Sequence, residues 1–372
     1  MIKSNYILVL VAIIFQICVP SQGYSTETSK ADSLLKAKKH FSFAVQYKKN
    51  EKYEDAFKNY ETSLAYNDTV YQVHYSFADL LLKMNKPEYA KRELLASFTL
   101  NPGHFKSASI LAGLYYDSAE YDSALVMYEA MYAISPDQDS ILSNIASLRE
   151  YLNMTEEALE SYEELIAKGM DSYGNLMKAS LLAAHIENYK LSEDYAVLAL
   201  DKKPGDIDAL NAALHASTEA GDMKSAEAWL RLLTAADSTG TEALVKLENL
   251  YRANSDTGQL IWALTEHHKR ASGDIGIIGE LAELLIREGD SEQGVTYIHK
   301  GFAIAPGDGR LRILMGVYYR KQGHTEKALE EFRIALKDSR WQASAQQFIW
   351  QIEQPETDAE KDEREFFNRG NP

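Results

Sequence analysis

The chain has 372 residues, with 39 Lys or Arg against 55 Asp or Glu, so its formal net charge at pH 7 is −16. An acidic excess of this size disfavours nucleic acids and anionic lipid surfaces as principal partners. The single cysteine, Cys18, excludes a framework of intrachain disulfides.

The first 23 residues are predicted to form a secretory signal peptide. Lys3 precedes an apolar run over 6–19, and Ser21 and Gly23 supply the small residues required for cleavage after Gly23. The run is shorter than the roughly 20 residues that span a bilayer, although an uncleaved anchor remains the alternative. Lipidation of Cys18 is disfavoured because none of the three residues before it is small.

After a lead-in over 24–36, nine windows of 34 residues run over 37–342 without insertion or deletion. Two positions in each window, twelve residues apart, hold mostly small side chains. The first position holds Ala44, Ala78, Ala112, Ala146, Ser180, Leu214, Glu248, Ala282 and Gly316. The second holds Ala56, Ala90, Ala124, Ala158, Ser192, Ala226, Leu260, Gly294 and Ala328. A fixed period of this length indicates stacked repeats and excludes most enzyme architectures.

Each window is predicted to form two antiparallel helices. Large residues such as Phe43 and Tyr47 flank the first small position at helical spacing and define helix A. A bulky residue four positions after the second small position, such as Tyr60, belongs to helix B. Four prolines share one window position just after helix B, where proline breaks no helical hydrogen bond: Pro102, Pro136, Pro204 and Pro306.

The repeat length, the two small positions and the closing proline resemble those of tetratricopeptide-repeat proteins. The resemblance covers about four fifths of the chain. It implies an all-α fold, a right-handed superhelical α-solenoid of about nine helix-turn-helix repeats. The window 241–274 departs most from the pattern, since Glu248 and Leu260 fill both small positions. We expect the two helices of that window to splay or shift, with a local kink.

The C-terminal part of the sequence predicts one more helix and a tail. Trp341, Ala345, Phe348 and Ile352 recur on one side of a helix, which indicates a capping helix over 341–354. Residues 355–372 are predicted to form an acidic, disordered tail.

Catalytic and metal-binding motifs are missing from the sequence, including a Gly-rich phosphate loop, HExxH, GxSxG and any Cys/His metal spacing. His40 and His74 occupy equivalent window positions, which favours packing over metal binding. The residues 267–270, His-His-Lys-Arg, are expected to be a solvated helix end whose cations suit the helix dipole. We therefore predict no enzymatic activity, no metal site and no cofactor.

Function is consequently expected on a surface. The family resemblance implies that helix A lines a concave groove, with basic ends and a Ser/Asn-rich middle that carries tyrosines. The predicted partner-binding residues are Phe41, Tyr75, Tyr116, Asn144, Tyr151, Asn211, Lys246, Asn249, Arg252, Arg320 and Lys321. Amides bond the backbone of an extended peptide, and aromatic rings contact its side chains.

The predicted function is that of a non-catalytic protein–protein interaction scaffold. It would bind an extended segment of a partner protein in the groove, in the periplasm or cell envelope of a bacterium or after secretion. Some family members bind the C-termini of chaperones through Lys, Asn and Arg residues on three successive helices A. This sequence lacks the complete set, because Glu280 stands where a basic residue is needed. The alternative is a regulatory or substrate-recruiting subunit of an envelope enzyme or secretion complex. We expect another protein or peptide as partner, no nucleic acid, and no stable membrane insertion after signal cleavage.

Overall fold

A computed structural model describes residues 27–354, so the predicted signal peptide and acidic tail lie outside the described residues. Within this range the chain forms nineteen α-helices and no strand, which confirms the predicted all-α repeat solenoid. None of these helices combines the length and apolar character that a membrane crossing requires.

The helices alternate between the A and B helices of nine repeats. The A helices are α1 (Glu27–Lys49), α3 (Tyr71–Lys83), α5 (Phe105–Asp117), α7 (Asp139–Tyr151), α9 (Tyr173–His185), α11 (Ile207–Glu219), α13 (Glu242–Ala253), α15 (Ile275–Arg287) and α17 (Gly309–Lys321). The B helices are α2 (Tyr53–Tyr66), α4 (Pro87–Leu100), α6 (Tyr121–Ile134), α8 (Thr155–Ala167), α10 (Tyr189–Lys202), α12 (Met223–Ala236), α14 (Thr257–Arg270), α16 (Ser291–Ile304) and α18 (Thr325–Ala335). The terminal helix is α19 (Gln342–Glu353). Because α1 begins at Glu27, most of the predicted lead-in is helical.

The two small positions of every repeat are buried. Their role is visible in the eighth repeat, where a Cβ atom on Gly294 would lie 3.0 Å from the carbonyl oxygen of Ala282. Gly294 and Ala282 are the two small positions of that repeat, so helices A and B approach each other most closely there. A larger side chain at either position would push the helices apart.

The turn between helix A and helix B has one conformation in all nine repeats. The residue at window position fifteen has a positive φ, between 56° and 98°, whether or not it is glycine. These residues are Glu51, Asn85, Ala119, Asn153, Glu187, Gly221, Ser255, Gly289 and Gly323. In most turns the next N–H bonds back to the carbonyl five residues earlier, as from Glu120 to Tyr115 at 2.8 Å. This is the bond of a Schellman helix end.

The chain divides into two compact units between Leu165 and Ile166. In the first unit, one continuous core of buried residues extends from α1 to α7. Aromatic rings contribute to it, since Tyr60 and Phe77 stack at a centroid distance of 5.3 Å. The second unit contains several smaller clusters, the last of which lies between α17, α18 and α19. This arrangement fits repeats that bury their apolar faces mainly against their neighbours.

The seventh repeat accommodates the residues that depart from the pattern. Leu260 is buried, and so is Glu248, despite its charge. The Glu248 carboxylate accepts hydrogen bonds from His267 at 2.7 Å and Arg252 at 3.4 Å. A buried carboxylate requires such partners, because desolvation without them is costly. His267 therefore fixes an unusual residue inside the hairpin.

Candidate functional site

The predicted groove residues of the first unit fall into two groups. Phe41 and Tyr75 are half-buried at the edge of the core. The Phe41 ring lies 6.1 Å from that of Tyr60, and the Tyr75 ring lies edge-on to His104 at 4.8 Å. Their packing contacts limit the surface that a partner can reach.

Tyr116, Asn144 and Tyr151 belong to the second group and are exposed on α5 and α7. The side chains of Tyr116 and Tyr151 are 50% and 65% exposed. Tyr121, at the start of α6, lies between them, with ring centroids 5.4 Å from Tyr116 and 4.7 Å from Tyr151. Both contacts are edge-to-face, the geometry that aromatic pairs favour. We call Tyr116, Tyr121 and Tyr151 the tyrosine patch.

The structure adds Tyr121 to the residues that sequence reasoning selected. It belongs to helix B, whereas the predicted contact residues all lie on helices A. A signal was present, because window position seventeen directly follows the short turn and therefore lies close to the end of helix A. Tyr121 occupies that position in the third repeat.

In the second unit, the structure brings Asn211 and Lys246 to one cavity of about 90 Å³. Their side chains are exposed, whereas Leu214, Leu230 and Leu233 in its wall are buried. The complete lining is Ile207, Asn211, Leu214, Leu230, Leu233, Asp237, Gly240, Glu242, Ala243 and Lys246. The cavity thus combines an apolar wall with a polar edge, as ligand-binding clefts do.

The loop between α12 and α13, which forms one side of this cavity, is fixed by α14. The Arg270 guanidinium donates to the carbonyl oxygens of Thr234 at 2.7 Å, Asp237 at 2.8 Å, and Gly240. The Asp237 carboxylate accepts from the N–H of Gly240 at 2.8 Å and of Thr239 at 3.1 Å. These bonds hold the pKa of Asp237 below its usual value.

The expectation that residues 267–270 form a solvated helix end is therefore wrong for most of them. His267 bonds Glu248, His268 is buried, and Arg270 holds the loop, while Lys269 alone is exposed. The helix dipole acts within α14 itself, whereas the partners of His267 and Arg270 belong to other segments of the chain.

Two predicted basic site residues on α13, Lys246 and Arg252, form ion pairs with neighbouring carboxylates. Lys246 pairs with Glu242 at 2.9 Å, and Arg252 bonds both oxygens of Glu280 at 2.8 and 2.9 Å. Asn249, exposed on the same helix, accepts a hydrogen bond from Arg252 at 3.0 Å. This part of the surface is consequently less basic than the sequence indicates.

The last predicted site residues, Arg320 and Lys321, lie at the end of α17. Arg320 donates to Gln351 at 3.2 Å and lies 5.6 Å from the ring of Phe348, both of α19. Lys321 donates to the carbonyl oxygen of Ile286 at 3.4 Å. Both side chains remain exposed enough to meet a partner, although they also join helices of the second unit.

The two repeat-related histidines have protein partners, in agreement with a packing role. Buried His74 bonds the Glu93 carboxylate and the carbonyl oxygen of Asp68, each at 2.8 Å. His40 bonds Asn59 at 3.0 Å. Over residues 27–354, no group of three or more His, Cys, Asp or Glu side chains has an arrangement that could hold a metal ion.

Comparison with known proteins gives the following similarities. No protein-family model matches the chain. Tetratricopeptide repeat protein 21A of Mus musculus is 26% identical over 120 residues, which are 32% of this chain and only 9% of the mouse protein. The solved structure of YrrB, described as a tetratricopeptide-repeat protein with an unusual peptide-binding site, is 14% identical. It covers 50% of this chain and 96% of its own, with a TM-score of 0.36.

A tetratricopeptide-repeat protein from Parabacteroides merdae ATCC 43184 covers more of the chain. Its structure matches 76% of this chain and 98% of its own at 17% identity, with a TM-score of 0.33. These relatives carry the repeat that the sequence predicts, and the likeness concerns the fold.

Proposed function

We propose that the protein is a non-catalytic scaffold that binds an extended segment of a partner protein along its helices A. The observation that carries the proposal is the cavity beside Asn211 and Lys246 in the second unit. Its volume of about 90 Å³ and its apolar wall suit a small aliphatic side chain. The Asn211 amide can both donate to and accept from the backbone of such a segment.

The first unit supports the same proposal through exposed residues on its own helices A. Asn144 offers a further amide on α7, and Tyr116 and Tyr151 expose large rings on α5 and α7. Tyrosine gains contact area at a small cost in conformational entropy, and it is enriched among the residues that dominate interface energies.

Photo-crosslinking tests this proposal. A photoreactive amino acid is placed at Asn211 on α11 or at Leu232 on α12, a helix B position whose side chain is 49% exposed. Exposed to a bacterial envelope fraction, the Asn211 variant should crosslink to a discrete protein, and the Leu232 variant should not. Crosslinking from Leu232 alone, or from neither position, contradicts binding along helices A.

We further propose that the protein functions in the bacterial envelope or after secretion, on the basis of the apolar run over 6–19 and its cleavage pattern. Mass spectrometry of the protein purified from its host should find an N-terminus near Tyr24. An acylated Cys18 at the N-terminus, or an intact Met1, contradicts this processing.

A further inference from the structure

The tyrosine patch presents two exposed aromatic rings at the turn edge of the third and fourth repeats. Tyr116 is the penultimate residue of α5, Tyr121 begins α6 and Tyr151 ends α7, so all three lie next to turns. Tyr121 is half-buried and touches both neighbours edge-on, which leaves Tyr116 and Tyr151 as the exposed rings. Large exposed rings in one cluster mark an interaction surface more clearly than scattered ones do.

The two windows that carry the patch are strongly acidic. Windows 105–138 and 139–172 together carry thirteen acidic and three basic residues, a net charge of −10 within a chain of net charge −16. Two exposed carboxylates, Asp117 and Asp122, follow Tyr116 and Tyr121 directly in sequence. Neither forms an ion pair within the described part of the chain.

Lys91 of α4 reaches the turn of the patch, where it pairs with Glu120 at 2.6 Å, so the carboxylates left unpaired there are those of Asp117 and Asp122.

Arg149, the nearest basic residue in sequence, does not neutralise these two carboxylates. Arg149 of α7 donates to Glu129 at 2.7 Å, to the hydroxyl of Ser161 at 2.8 Å and to the carbonyl oxygen of Glu157 at 3.1 Å. Its guanidinium therefore donates its hydrogen bonds to α6 and α8. The other basic residue before the patch, Lys106, lies in the first turn of α5, at the opposite end from Tyr116.

We propose that the tyrosine patch binds a Lys- or Arg-bearing segment of a partner protein. A cation over a tyrosine face is attracted by the ring quadrupole, and the carboxylates beside the rings add long-range attraction. Nucleic acids and anionic lipids are repelled by the same field. So are residues 355–372 of this chain, in which acidic residues outnumber basic ones. The inference rests on the proposed scaffold function and names the chemistry of the partner.

The test uses two fluorescein-labelled peptides, one alternating arginine with serine and one with glutamate in place of each arginine. Fluorescence anisotropy at physiological salt should show binding of the arginine peptide only. Combining Tyr116→Ala with Tyr151→Ala should weaken that binding about tenfold, and the corresponding Phe substitutions should retain most of it. Tyr89→Ala is the matched control, since Tyr89 is 56% exposed on α4 and lies outside the patch; it should bind like the wild type.

A second pair of variants isolates the carboxylates. The double variant Asp117→Asn, Asp122→Asn should weaken binding of the arginine peptide and reduce the salt dependence of that binding. The control is the double variant Glu54→Gln, Glu61→Gln, which removes the same charge from exposed positions of α2 and should have a smaller effect. Equal affinity of the wild type and the Ala double variant, or equal weakening by Tyr89→Ala, overturns the inference.

The two proposals fail in distinguishable ways. If the Asn211 variant crosslinks to a protein partner but the Tyr substitutions leave the affinity for the arginine peptide unchanged, the scaffold function stands and the inference is overturned. If the peptide requires the tyrosines but no position crosslinks a protein, the patch is a cation-binding surface and the scaffold proposal fails.

Discussion

Ala124 shows how one small side chain determines the geometry of a repeat. It occupies the second small position of the third repeat, on α6, and is fully buried. The same helix contains Ala133, which is exposed. Identical substitutions at the two alanines therefore separate packing from helix propensity.

We expect Ala124→Leu to destabilise the protein by about 1–3 kcal/mol, because the added methyl groups must force α5 and α6 apart. Ala133→Leu should change stability by less than about 0.5 kcal/mol. Thermal unfolding followed by circular dichroism measures both. Equal melting temperatures would show that the second small position is not the closest approach of the helices.

His74 provides a pH-dependent contact inside the second repeat. Burial disfavours its charged form, but the hydrogen bonds to Glu93 and to the carbonyl of Asp68 outweigh this effect and raise the pKa of His74 above 6.5. The charged form is thus favoured by folding. The stabilisation is complete below pH 6.5, the pKa in the unfolded chain, and is lost as pH rises through the higher pKa of the folded state.

NMR titration of the imidazole should therefore give His74 a pKa above 6.5 in the wild type and a lower one in Glu93→Asn. That variant reproduces the His40–Asn59 pair of the first repeat. It should also reduce the loss of stability between pH 6 and the folded-state pKa. An unchanged His74 titration in Glu93→Asn would exclude the carboxylate as the cause.

At the scale of the elements, every hairpin requires one residue in the left-handed region. A non-glycine residue there costs about 1–2 kcal/mol relative to ordinary backbone. Ala119 adopts this conformation, with a φ of 59°. Gly221, which has no side chain, adopts it as well, with a φ of 73°. The seventh turn shares this conformation through Ser255, even though Glu248 and Leu260 fill the two small positions of that repeat.

Reciprocal substitutions in two turns measure this backbone cost. Ala119→Gly should stabilise the protein by up to about 1 kcal/mol, and Gly221→Ala should destabilise it by a similar amount. A Cβ atom on Gly221 would meet nothing within 4 Å, so the second effect is purely conformational. Chemical denaturation measures both, and changes of the same sign would contradict the explanation.

The sequence predicts the helices well because their signal is local and repeated. Small positions, turns and closing prolines recur every 34 residues, so each window supports the assignment of the others. The roles of His267 and Arg270 could not be predicted in this way. Their partners, Glu248 and the loop at 234–240, belong to other segments, and only the packed structure brings them together. Tyr121 differs from them, since its position directly after the turn already placed it near the end of α5, but the predicted contact residues all lie on helices A.

For the whole molecule, a stack of repeats has an end that no further repeat covers. At the C-terminal end, α19 supplies that cover for α18. Ala345 and Ile349 of α19 are buried, and the ring of Phe348 stacks on Phe332 at a centroid distance of 5.1 Å. Phe332 itself is completely buried. A chain that ends before α19 would expose this aromatic and aliphatic face to water.

Truncation after Arg340 should therefore lower the stability of the protein by on the order of 3 kcal/mol, since several large apolar side chains lose their cover. The exposed face should also promote self-association, because contiguous apolar patches are aggregation sites. A chain that ends at Gln354 is the matched control, as it keeps α19 whole. Calorimetry and analytical ultracentrifugation compare the two. If both truncated chains melt at the same temperature and remain equally monodisperse, α19 does not act as the cap of the last repeat, and the burial of Phe332 must depend on α17 and α18 alone.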